Sequence, residues 1–128
     1  KLKSPYVLFN KIFIQESFLS YVWCMSFSLV VLYEDAIVKR SRREILGDQE
    51  EEPDMMKIQE AYALWAYGVS LIDNYTEWNK ELFPNPEYYD ERYEDLIPKI
   101  NGVYLAAMCF ILAHEFAHLE LEHSKTDI

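Results

Sequence analysis

Apolar side chains recur at three- and four-residue steps along three stretches of the chain, the spacing that lines one face of a helix. In the first, from about Gln15 to Arg43, the stripe is Phe18, Val22, Met25, Leu29, Leu32 and Ala36. In the second it is Met55, Ile58, Ala61, Trp65, Val69 and Ile72, with Asp54 placed to cap the first turn. The third starts near Ile97 and Pro98, since proline is tolerated in a first turn, and runs past His118. Its centre, Val103 to Ala113 (VYLAAMCFILA), is apolar on every side. A helix hydrophobic all round is expected to be buried all round.

Breakers separate these stretches. Gly47, the acidic run Asp48 to Glu52 and Pro53 predict a solvated linker. Between Asn74 and Asp95, Trp78, Phe83, Pro84, Pro86, Tyr88, Tyr89 and Tyr93 are set among acids. Prolines remove backbone donors, so this span predicts an ordered surface loop with aromatic anchors, suited also to the rim of a cleft. Weak alternation at Tyr6, Leu8, Ile12 and Ile14 predicts a short N-terminal strand. The fold class expected is mainly α: three long helices around a zincin-like core, the third buried at the C-terminal end, in a single domain over residues 1–128. The chain begins with Lys1 rather than Met, which suits a fragment, and a third metal ligand beyond Ile128 would make it the N-terminal part of a longer domain.

Charge narrows the partners. The formal net charge is −10, and residues 65–128 hold 4 basic and 12 acidic side chains against 8 and 10 in residues 1–64. Binding to nucleic acid needs a surplus of cations on one face, so it is excluded. The cluster Lys39, Arg40, Arg42 and Arg43 reads as a charged helix end complementing the helix dipole. Cys24 and Cys109 both sit in apolar runs, which predicts buried reduced thiols and a cytoplasmic protein. Ser17 to Tyr33 is uncharged over 17 residues, the lower limit for crossing a bilayer. Its four serines and the flanking Glu16 and Glu34 favour a core helix over a membrane anchor.

The chemistry concentrates in His114, Glu115, Phe116, Ala117 and His118, an H-E-x-x-H segment. Residues four apart share a helix face, so both imidazoles can reach one ion about 2 Å from each nitrogen. Glu115 is rotated by about 100° and can lean over a water held by the ion without being a ligand. Zinc brings such a water towards neutral pKa, and the carboxylate can take its proton and hand it to a leaving amine. The alternative is a hydrogen-bonded histidine pair with Glu115 as partner. A buried glutamate needs a compensating cation, and no Lys or Arg lies between Lys99 and Lys125. Catalytic zinc takes a third protein ligand. His123, Glu122 and Asp127 are the weak candidates, and a metzincin-type glycine turn is missing from LELEH.

With FILAHEFAHLELEH at its C-terminal end, the chain resembles the Lit-type phage-exclusion peptidases of bacteria. Weaker echoes are SFLSYVWCMSFSLVVLYED, EAYALWA and EWNKELFPNPE, in the same order. The resemblance implies a largely helical cytoplasmic zinc endopeptidase that cleaves translation elongation factor Tu to abort phage growth. It implies His114 and His118 as ligands and Glu115 as the catalytic carboxylate. Its third ligand would be an acidic residue in a downstream Glu-x-x-x-Asp type segment, and no such segment follows His118 here. The function expected is therefore water-activated amide hydrolysis. The alternatives are a non-catalytic acidic helical interaction module with an incomplete metal site, and a membrane-anchored metallopeptidase.

Overall fold

The computed structural model describes residues 2–47, 52–88 and 90–121. The acidic positions Asp48 to Glu51, Tyr89, and the candidate ligands Glu122, His123 and Asp127 lie outside the described residues. The N-terminal strand is one half of an antiparallel hairpin, β1 (Tyr6–Leu8) and β2 (Lys11–Phe13). Leu8 pairs with Lys11 across a two-residue turn in which Phe9 and Asn10 take φ of 52° and 59°. Type I′ hairpin turns require both φ values to be positive. Asn accepts that region readily, whereas an aromatic residue is strained in it. Tyr6 and Phe13, register partners, stack at 5.3 Å and close the open end.

One long helical run follows: α1 (Glu16–Leu32), a π-helical turn (Tyr33–Val38) and α2 (Lys39–Leu46), ended by Gly47 at φ 69°. A left-handed residue is a common helix stop, and glycine reaches it without strain. Helix α3 (Met55–Asp73) opens on Asp54, whose carboxylate accepts from the Met56 and Lys57 amides at 3.1 and 3.2 Å. Losing such a cap costs about 1 kcal/mol, so Asp54→Ala is expected to lower the unfolding free energy by that amount in urea titration. Helix α4 (Ile97–Glu120) has Pro98 in its first turn, as its sequence predicts.

The buried faces match the periodicity only in part: Val22 and Ala61 of the expected stripes are buried, and Met25 and Leu32 pack against the core, but the most buried positions lie beside those stripes. In α1 the buried side chains include Cys24, Phe27, Ser28 and Val31, while Leu29 is exposed. In α3 the buried stripe is Ala61, Leu64, Gly68 and Leu71, and Met55, Trp65, Val69 and Ile72 face solvent. Both helices are apolar on several sides, so the deciding factor is close approach. Ser28 reaches across to the Ala61 carbonyl at 2.9 Å. A Cβ on Gly68 would lie 2.6 Å from Met25 Cε and 3.2 Å from Cys24 Cβ.

The core joins α1 and α3 to Tyr93, Leu96 and Ile100. Phe27 packs edge-on against Tyr93 with ring centroids 5.0 Å apart and stacks on Trp23 at 5.4 Å. The loop after α3 is anchored as its aromatics predict: Trp78 packs on Trp23 and Tyr67. Buried Asn85 braces it, donating to the Lys80 and Phe83 carbonyls and accepting from the Glu87 and Tyr88 amides. Cys24 is buried, and desolvation pushes its thiol up to about 12. Cys109, expected inside, is exposed.

Asp35, in the π turn, is fully buried. Its Oδ1 accepts from Lys39 Nζ at 2.7 Å and from the Asp54 amide at 3.1 Å, which ties the long helix to the start of α3. Its Oδ2 has no hydrogen-bond partner among the described residues.

The expectation that α4 is buried all round is not met. Its buried residues are Ile100, Met108 and Glu115 alone, and Val103, Leu105, Phe110, Leu112 and Phe116 are exposed. The elements packed on α4 are α1 and the hairpin, which cover one side of a cylinder. Helix α4 and the run Glu16–Leu46 are both long and apolar enough to cross a membrane. That property is shared with the core helices of soluble proteins, and the first of them is the core helix here.

Candidate active site

Lys99, at the start of α4, pairs with Glu34, just past the end of α1, at 3.2 Å. The two helices therefore run antiparallel, with Asn101, Tyr104 and Leu105 of α4 beside the first turns of α1, and α4 also meets β1 and β2. His114, Glu115 and His118 lie in the last turns of α4, about 13 Å of helix beyond Leu105.

There His114 and His118 stand one turn apart on one face. Their Nε2 atoms lie 3.0 Å apart, with the rings edge to face and centroids 4.5 Å apart. At this distance one nitrogen donates and the other accepts, according to tautomer. Two bonds of about 2.05 Å to a tetrahedral ion would set such nitrogens about 3.3 Å apart, so a small outward motion accommodates zinc once the shared proton leaves. His114 is exposed and His118 half-buried. Glu115, next to His114 in the chain, is 8% exposed. It makes no hydrogen bond or ion pair among the described residues.

The Peptidase U49 family model matches residues 12–127, from β2 through the end of α4 and beyond. The chain belongs to the peptidase U49 family. It is thus a peptidase, in keeping with the Lit-type resemblance of its sequence. No curated protein and no solved structure matches it.

In this U49 chain the described residues contain no group of three or more His, Cys, Asp or Glu placed to hold a metal ion. Two imidazoles converge, and the sequence candidates for a third ligand, Glu122, His123 and Asp127, lie outside the described residues. The donor set so far, two neutral nitrogens with an adjacent carboxylate, fits zinc better than hard cations, which prefer oxygen.

Two hollows among the described residues lie elsewhere. One of about 620 Å³ is lined by Gln15, Glu16, Tyr67, Tyr75 and Trp78 among others, and a second of about 450 Å³ by Leu19, Trp23, Tyr104 and Leu105. They share Glu16, Ser20, Trp78 and Lys80, so together they form a groove across the first turns of α1. Leu105 precedes His114 by nine residues, about 13 Å of helix. Sequence reasoning found Trp78 as an anchor but missed Glu16 and Lys80. Isolated charges without a spacing rule carry no signal of a shared groove.

Proposed function

We propose that this U49 peptidase is a zinc-dependent endopeptidase. The observation carrying the proposal is the convergence of His114 and His118 Nε2 atoms at 3.0 Å, with the intervening Glu115 8% exposed and without a partner among the described residues. His114 and His118 would hold the metal, with a third ligand from outside the described residues. Zinc supplies the Lewis acidity that makes water a nucleophile near neutral pH. With zinc bound, Glu115 would take the proton of the attacking water and return it to the leaving amine. The two histidines, fixed on consecutive turns of a rigid helix, hold that geometry without loop rearrangement. From the Lit-type resemblance come the rest of the proposal: a cytoplasmic site of action, phage exclusion, and elongation factor Tu as substrate.

Metal analysis tests the centre directly. Purified protein is expected to carry about one zinc per chain, and His114→Ala and His118→Ala to lose most of it. Wild-type protein that cleaves elongation factor Tu equally well after exhaustive chelation would end the zinc proposal while leaving the peptidase family intact.

A further inference from the structure

The groove across the first turns of α1 sets aromatic rings among carboxylates. Tyr67, Tyr75 and Trp78 line its larger hollow, and Trp23, Trp78 and Tyr104 the smaller. Tyr67 is held in place by its hydroxyl, which donates to the Thr76 carbonyl at 2.7 Å, and by Trp78, whose ring centroid is 5.6 Å away. Glu16, Glu77, Glu87 and Lys80 are the charged side chains on the walls, a balance of −2. Lys80 pairs with Glu87 and lies over the Trp78 ring, 6.0 Å from its centroid. Glu16 is a weaker neighbour of that ammonium, and neither Glu16 nor Glu77 makes a hydrogen bond or ion pair among the described residues. Lys3, whose amide donates to Gln15 Oε1 at 2.7 Å, leaves the balance negative when counted too. The walls also hold polar groups without partners among the described residues: the side chains of Ser20 and Asn101, and the indole N–H groups of Trp23 and Trp78.

We propose that this groove holds an extended peptide of the substrate and selects one with a lysine or arginine at the larger hollow. The proposal rests on the peptidase reading and adds a substrate class to it. A cationic side chain there meets the carboxylates of Glu16 and Glu77 and the negative faces of Tyr67 and Tyr75. Lys80 over Trp78 makes the same kind of pairing within the chain. A peptide main chain supplies both carbonyls and amides, the partners that the serine, the asparagine and the indoles call for. Direction follows from α4. Tyr104 and Glu115 are eleven residues apart, close to three whole turns, so they share one face about 16 Å apart. A strand laid along that face covers the distance in about five residues. An acidic peptide is repelled at the same place.

Three capped peptides of about ten residues, ~33 Å when extended, provide the test. They share a neutral sequence and differ only in a central lysine, alanine or glutamate. Each is titrated calorimetrically into the full chain carrying Glu115→Gln, which prevents cleavage. The lysine peptide is expected to bind roughly tenfold tighter than the alanine peptide at low ionic strength, and the glutamate peptide more weakly still, with the preference shrinking as salt is raised. Glu16→Gln with Glu77→Gln should erase the preference, and Glu16→Lys with Glu77→Lys should turn it towards glutamate. Tyr75→Ala should weaken binding of the lysine peptide severalfold, and because Tyr75 is 71% exposed the circular dichroism should not change. Glu91→Gln with Glu94→Gln, an equal change of net charge away from the groove, should keep the preference. Equal binding of the three peptides by zinc-bearing protein overturns this proposal alone. So does a preference that survives Glu16→Gln with Glu77→Gln, or one that vanishes in Glu91→Gln with Glu94→Gln. A groove-dependent preference in protein that takes up no zinc would support it while the zinc proposal falls.

Discussion

Glu115→Gln is expected to lower kcat for protein cleavage by roughly 10²- to 10⁴-fold, the usual contribution of a positioned acid–base group. Zinc content should stay at the wild-type level, because glutamine leaves both imidazoles in place. Stability should be unchanged, since Glu115 gives up no partner among the described residues on becoming neutral. That pattern separates the roles within one helical turn: a histidine variant loses metal and activity together, whereas the glutamine variant loses activity alone. Turnover within twofold of wild type, in protein that retains its zinc, would remove Glu115 from the chemistry.

Lys39→Met should cost about 3 kcal/mol of folding stability, the low end for removing one partner of a buried ion pair. Lys39 is 22% exposed and Asp35 1%, so the lysine is the partner that water can partly replace and the aspartate is the one left stranded. The loss extends beyond one contact. Asp35 also receives the Asp54 amide, so disturbing it loosens the entry to α3. Combining Lys39→Met with Asp35→Asn should restore much of the loss, because asparagine still accepts from that amide without carrying a charge. Urea unfolding of the two single variants and the double variant measures the coupling. A coupling below about 0.5 kcal/mol would show that the Lys39–Asp35 pair contributes little to stability.

The sequence displayed the existence of the helices, the capping role of Asp54 and the H-E-x-x-H segment, because each rests on local spacing. The faces were another matter. Periodicity pointed to Leu29 and Trp65, but helices apolar on several sides offer more than one stripe, and the choice fell to Gly68 and Ser28, small enough to let α1 and α3 touch. The hairpin was half visible: alternation suggested a strand, but Phe9-Asn10 lacks the glycine that usually announces a two-residue turn. Burial of α4 was overcalled because composition states what a surface prefers to contact, not how many elements are present to contact it. At the site, helical spacing correctly brought His114 and His118 together, while the groove around Glu16 and Lys80 depends on contacts between distant segments and was invisible.

The π turn at Tyr33–Val38 acts as a phase adjustment in an otherwise uniform screw. By taking up one more residue than an α turn, it rotates everything downstream by about 100° relative to an unbroken helix. The direction in which Ile45 and its neighbours look is thus set a dozen residues earlier, by the count of backbone hydrogen bonds around Asp35. A single-residue insertion or deletion there would re-aim the whole end of the helix without altering one side chain of it.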